Sequence, residues 1–191
     1  CPETARQPGA RPAMARVFFA LWPSPEAARQ LAAVAASFAA AAGGRATRLE
    51  SIHLTLAFLG DVAVDRLPEL ERAAREVRGE AFPLTLDRLA VWRHNRVFWA
   101  GCSVAPPALA DLSAGLAAAV RAAGFAVADG GRTFTPHVTL ARRIVALDAA
   151  WPECAPVSWT NRRFALVRSM PSADASSYRS IAEFSLLAGS G

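Results

Sequence analysis

HLTLAFLG at residues 53–60 and HVTLARR at residues 137–143 are two versions of one pattern, a histidine and a threonine separated by one aliphatic residue and followed by another. In an extended chain successive side chains point to opposite faces, so His53 and Thr55 share one face while Leu54 and Leu56 share the other; His137 and Thr139 oppose Val138 and Leu140 in the same way. Each stretch therefore reads as a strand with an apolar face for packing and a polar face left over. The fold follows from asking what repeats along with them.

The preceding elements repeat too. RVFFAL from Arg16 is echoed by RVFWAG from Arg96, 80 residues later, and both have the β-branched and aromatic density of strands. After the first comes SPEAARQLAAVAASFAAAAGG, with Ser24 as cap, Pro25 in the first turn and Gly43 and Gly44 as terminators. After the second comes PPALADLSAGLAAAVRAAGF, entered at Pro106 and Pro107 and ended by Gly124, 81 residues after Gly43. The histidines themselves are 84 apart. A unit of strand, helix and His-x-Thr strand thus occurs twice, with drift that loops absorb. VDRLPELERAAREVRGE between the units has Leu67, Leu70, Ala74 and Val77 at helical spacing before Gly79. PLTLDRLAVW reads as one more strand, and RFALVRS and YRSIAEFSL as a strand pair joined through the polar MPSADASS. Asp61 is expected to cap the next helix or start a turn after Gly60, and His94 to sit in a turn. The class is α+β: two mainly antiparallel sheets related by a pseudo-two-fold axis, lining a central cleft, with helices outside.

Composition narrows what such a protein does. Of the 191 residues 53% are hydrophobic, enough to fill one bilobal domain over 14–191. No apolar run is long and charge-free enough to cross a bilayer. The Pro-rich CPETARQPGARPA lacks the layout of a secretory signal and reads as a disordered leader or appended extension over 1–13, with Met14 as a natural start. Cys1, Cys102 and Cys154 have no paired spacing, which fits a reducing cytoplasm. The chain is expected to be a monomer. All 21 basic residues are Arg against 16 acidic ones, for a net charge of +5. That excess suits a phosphate or polyanion ligand, and a bias toward Arg and Ala in the coding sequence is the competing explanation.

One histidine at a strand start is ordinarily structural. Two in a repeated unit are better explained by chemistry. If the halves face each other, two imidazoles and two hydroxyls meet at one point. Near a pKa of ~6.5, one imidazole can act as base and the other as acid at neutral pH. A phosphodiester suits that arrangement, because attack is in line and charge spreads over equatorial oxygens that Thr55, Thr139 and Arg142 can hold. Phe58 is a candidate platform for a nucleobase. No carboxylate stands beside either histidine, which disfavours zinc, and no GxSxG elbow exists for a serine hydrolase.

HLTLAFLGD, RVFWAG and FTPHVTLARR together resemble the LigT-like family, the 2′-5′ RNA ligases regarded as RNA 2′,3′-cyclic phosphodiesterases, within the 2H phosphoesterase superfamily. The resemblance runs from about Met14 to YRSIAEFSL. It implies a bilobal fold, no metal or other cofactor, and hydrolysis of an RNA 2′,3′-cyclic phosphate end to a 2′-phosphomonoester, with 2′-5′ ligation as the reverse-direction activity. Carried over by position, His53 and His137 are the acid and base pair; either division of roles is open, and the one favoured has His53 protonating the leaving 3′ oxygen and His137 activating water. Thr55, Thr139 and Arg142 bind phosphate, and Phe58 stacks on the base. Arg45, Arg48 and Arg143 are either a track for an RNA backbone or solvated surface charges. The readings set against hydrolysis of an RNA end are a non-catalytic RNA or nucleotide module and a phosphodiesterase of 2′-5′ oligonucleotides or other small cyclic nucleotides.

Overall fold

A computed structural model describes residues 12–128, 134–170 and 177–188. The leader read at 1–13 falls almost wholly outside these residues, as do 171–176 of the MPSADASS connection. The chain begins with β1 (Met14–Leu21) and α1 (Pro25–Ala42). Ser24 Oγ accepts the Ala27 N–H at 3.2 Å, Pro25 loses nothing in a turn whose N–H groups are unpaired, and Gly43 at φ +68° ends the helix. Next come β2 (Arg45–Ala46), β3 (Leu54–Ala63), α2 (Leu67–Arg75), β4 (Phe82–Leu86), β5 (Arg88–Trp92) and β6 (Val97–Gly101). The second half supplies α3 (Pro107–Ala122), β7 (His137–Arg142), β8 (Val157–Asn161), β9 (Arg163–Met170) and β10 (Ser177–Ser185).

The strands lie in the order β10-β9-β1-β3-β7-β6-β5, with β2 added to β7, and β4 pairs with β8 in a second sheet. All of these ladders are antiparallel. The long sheet has two arms, β10-β9-β1-β3 and β7-β6-β5, joined through the pairing of Leu54 with Val138. These two residues are 84 apart, the interval that separates the histidines, so the pseudo-two-fold axis passes between them. Continuing the register one step each way sets His53 across from Thr139 and Thr55 across from His137.

The helices exchange arms. α1, from the first half, packs on β7 and β2, and Phe38 stacks on Phe98 of β6 with ring centroids 3.8 Å apart. α3, from the second half, covers β3, where Ser113 Oγ donates to the Leu56 carbonyl at 2.8 Å. One buried cluster runs through both arms, from Phe19, Leu54 and Phe164 to Phe98, Val138 and Leu140. No helix among the described residues is long and apolar enough to cross a membrane.

Several local expectations are corrected. PLTLDRLAVW is two strands in different sheets; the chain breaks at Asp87, whose carboxylate accepts from Ser103 N at 2.7 Å and Ser103 Oγ at 2.5 Å. Asp61 caps no helix: it lies inside β3, facing Arg16 at 3.3 Å. α2 stops at Arg75, short of Val77 and Gly79. The RVFFAL and RVFWAG echo is out of register with the structural repeat. Phe19 pairs with Ala57 and Phe98 with Ala141, so the equivalent positions are 79 apart rather than 80. A one-residue slip reverses every face: Phe18 looks into the cleft, while Phe98, its counterpart by sequence, is in the core.

Candidate active site

The polar faces of β3 and β7 carry the two motifs, and each imidazole is held in the same way. His53 Nδ1 lies 2.7 Å from the Ser51 carbonyl and His137 Nδ1 lies 2.8 Å from the Thr135 carbonyl, in both cases two residues upstream. A carbonyl only accepts, so Nδ1 carries the proton and each neutral ring is left with a basic Nε2. At His53 that nitrogen is 3.2 Å from Thr55 Oγ1, whose hydroxyl donates to it.

Both rings sit among aromatics. Phe18, Tyr178 and Trp22 place their centroids 4.9, 5.1 and 5.6 Å from His53, with Trp22 Nε1 donating to Ser180 Oγ at 3.0 Å. Trp92 and Trp99 stand 4.6 and 6.2 Å from His137. Burial among these rings pushes the His53 pKa from its ordinary 6.5 down to about 4, and the nearby Arg142 and His137 charges push the same way. His137 is also lowered, again by burial first and Arg142 second. The Arg142 charge thus bears on both imidazoles and burial keeps both neutral near pH 7, although only His53 of the two lines the cavity between the arms.

Arg142 and Phe58 each follow a motif histidine by five residues, an odd step that strict alternation would send to the core. Two bulges prevent this. Phe19 pairs with Ala57 and Ala20 with Thr55, leaving Leu56 as an extra residue in β3; Phe98 pairs with Ala141 and Trp99 with Thr139, leaving Leu140 extra in β7. An extra residue re-aims everything after it, so Phe58 and Arg142 turn back to the face of their histidines.

A cavity of about 220 Å³ is lined by His53, Thr139, Arg142, Ser51 and Tyr178, together with Arg45, Thr47, Arg48 and Arg143. Thr55 reaches the site through His53 Nε2. Phe58 is not among the lining residues; it is 38% exposed and stacks at 6.4 Å on Phe18, which separates it from His53. His94 lies in the turn between β5 and β6 and takes no part. The flanking Phe18, Trp22, Tyr178, Trp92 and Trp99 escaped sequence reasoning. Alternation along YRSIAEFSL places Tyr178 and Ser180 on one face, but nothing local says which arm β10 joins. No three His, Cys, Asp or Glu side chains cluster as metal ligands among the described residues.

Two antiparallel arms that each bring a His-x-Thr strand to a shared basic cleft have the architecture of a 2H phosphoesterase. The chain belongs to the LigT-like phosphoesterase family: residues 21–99 match the family described as LigT like phosphoesterase, and a relative that bears the corresponding activity in its name aligns with most of the chain. That relative, the RNA 2′,3′-cyclic phosphodiesterase of Escherichia coli (strain K12), is 35% identical over 127 residues, which span 66% of this chain and 71% of the relative. The crystal structure of Escherichia coli LigT complexed with 3′-AMP superposes with a TM-score of 0.83 at 28% identity, covering 91% of this chain and 99% of that one. A Thermus thermophilus protein superposes with a TM-score of 0.74 at 26% identity, over 91% and 98% of the two chains.

Proposed function

We propose that this enzyme opens 2′,3′-cyclic phosphates at RNA ends to 2′-phosphomonoesters, without a metal or other cofactor, using the two His-x-Thr motifs. The observation that carries the reading is the duplicated imidazole: two rings on strands paired across one pseudo-two-fold axis, each with Nδ1 engaged by a carbonyl so that Nε2 is the basic nitrogen, which at His53 accepts from Thr55 Oγ1 until substrate enters. His137 takes a proton from water as its oxygen bonds to phosphorus. The P–O3′ bond breaks, and His53 gives a proton to the departing 3′ oxygen. The hydroxyls of Thr55 and Thr139 and the Arg142 guanidinium hold the charge that gathers on the equatorial oxygens, and Phe58 supports the base.

Burial keeps both rings neutral beforehand, so the acid acquires its proton when the anionic phosphate enters and raises its pKa. With a 5′-hydroxyl in place of water, the same bond exchange makes a 2′-5′ linkage. The protein would work as a monomer in the cytoplasm, where Cys102 and Cys154 stay as free thiols. Hydrolysis of a cyclic-phosphate RNA end in EDTA, with product identification, tests the reading: a 2′-phosphate is expected, and His53→Ala or His137→Ala should each lose ~10²–10⁴ in rate. Full activity in either variant, or a requirement for added metal, overturns it. A non-catalytic binding module would show no turnover and unaltered binding by the His→Ala variants.

A further inference from the structure

The cavity holds more positive charge than one phosphate group needs. The mechanism proposed above assigns Arg142 and the two threonines to the scissile phosphate, yet Arg45, Arg48 and Arg143 line the same 220 Å³ space as Arg142 and Thr139. Among the described residues none of these arginines has a carboxylate within ion-pair distance, whereas Arg66 and Arg163 on the outer surface do, at 3.0 and 2.9 Å. Their arrangement is also unfavourable without a ligand. Arg45 is the direct register partner of Arg142 across β2 and β7, and like charges placed so repel. The close approach is built in: a Cβ on Gly44, at φ +113°, would lie 2.8 Å from the Arg142 carbonyl oxygen, so β2 can lie against β7 only with glycine there. Arg143 is left-handed, at φ +58°, a conformation that side chains with a Cβ adopt at a cost.

We infer that Arg45, Arg48 and Arg143 form a subsite for a second phosphate of the same substrate, so that the enzyme prefers a cyclic phosphate carried on a nucleic-acid strand over a lone cyclic mononucleotide. This rests on the function proposed above. A second anion between Arg45 and its neighbours removes the repulsion, and guanidinium forks can grip it through paired hydrogen bonds. The second phosphate can be an internucleotide diester or a 5′-monophosphate.

The test compares kcat/KM for 2′,3′-cyclic AMP, for the same nucleotide bearing a 5′-phosphate, and for the adenosine dinucleotide ending in a 2′,3′-cyclic phosphate. Expected for the unaltered enzyme is an advantage of at least about tenfold for the dinucleotide over the mononucleotide, mostly in KM and shrinking as salt rises. A matching gain with the 5′-phosphorylated mononucleotide assigns the effect to phosphate of either kind; a gain with the dinucleotide alone assigns it to the internucleotide diester, and both uphold the subsite. In the variant combining R45Q, R48Q and R143G, whose glycine tolerates the left-handed backbone, the advantage should fall to near one. No advantage in the unaltered enzyme, or one that survives in the variant, overturns the inference. If no cyclic phosphate is hydrolysed, the functional proposal fails by itself. The subsite is then judged by calorimetric titration with adenosine 2′-monophosphate and adenosine 2′,5′-bisphosphate: at least tenfold tighter binding of the bisphosphate, lost in the variant, upholds it, and equal binding sinks it.

Discussion

His53 and His137 begin from the same sequence pattern and end in different surroundings, and the difference is measurable as proton affinity. With both pKa values below 6.5 and the single proton that the proposed acid and base pair requires, kcat/KM should peak on the acid side of pH 6.5. Bound phosphate favours the charged ring, so the alkaline limb of kcat should lie at higher pH than that of kcat/KM; coincident limbs in steady-state profiles would refute this. The same shift couples to stability. As pH falls from about 6.5 to 4 the unfolded chain protonates this imidazole and the folded chain does not, so folding loses about 3 kcal/mol through His53 by pH 4. His53→Gln cannot titrate, and urea midpoints at pH 7 and pH 4.5 should differ less in that variant than in the parent. Phe58 is exposed enough that Phe58→Ala should leave stability almost unchanged. If it holds the base, KM should rise about tenfold or more at unchanged kcat. The motif residues were legible in the sequence because alternation is local. The aromatic walls that set their basicity were not, since Phe18, Tyr178 and Trp92 reach them across strands remote in the chain.

Strands carry the next level of control. The bulges at Leu56 and Leu140 bring an odd-numbered spacing onto one face, and no local pattern in HLTLAFLG or HVTLARR marks the extra residue. The same limit hid the division at Asp87, where a carboxylate tied to Ser103 interrupts a run that reads as one strand. VSWTN, the β8 strand, is too short to declare itself beside a proline-containing loop. Gly101 shows how tightly the second arm is fitted. A Cβ there would lie 2.6 Å from the Trp99 ring and 3.0 Å from the Pro136 carbonyl oxygen, just before His137. Gly101→Ala should therefore displace Trp99, cost about 1–3 kcal/mol in thermal unfolding and lower kcat/KM at least tenfold. Gly115, inside α3, meets only Val77 Cγ1 at 3.5 Å. Gly115→Ala should stabilise the protein by about 0.5–1 kcal/mol and leave kinetics alone. Equal effects of the two substitutions would contradict this view of the packing.

At the level of the whole molecule, the repeated unit seen in the sequence is not a lobe. The sequence shows that α1 and α3 have apolar faces, and it does not show which sheet receives them; each crosses to the other half's strands. β9 and β10, from the end of the chain, complete the arm begun by β1 and β3. Unfolding should accordingly be a single transition, with far-ultraviolet circular dichroism and tryptophan fluorescence melting together, since Trp22 reports on one arm and Trp92 and Trp99 on the other. Two separated transitions would show that the arms are independent. A chain cut between β6 and α3 leaves β3 without its helix, and neither piece should fold alone.

This interlacing also constrains how the mouth of the cleft can behave. Jaws that close on a ligand swing about one or two flexible joints, whereas here the backbone passes from side to side repeatedly and offers no single joint. The gape should therefore change little when a ligand enters, and the cyclic ester of the proposed reaction would be told from an open one by its fit to these walls.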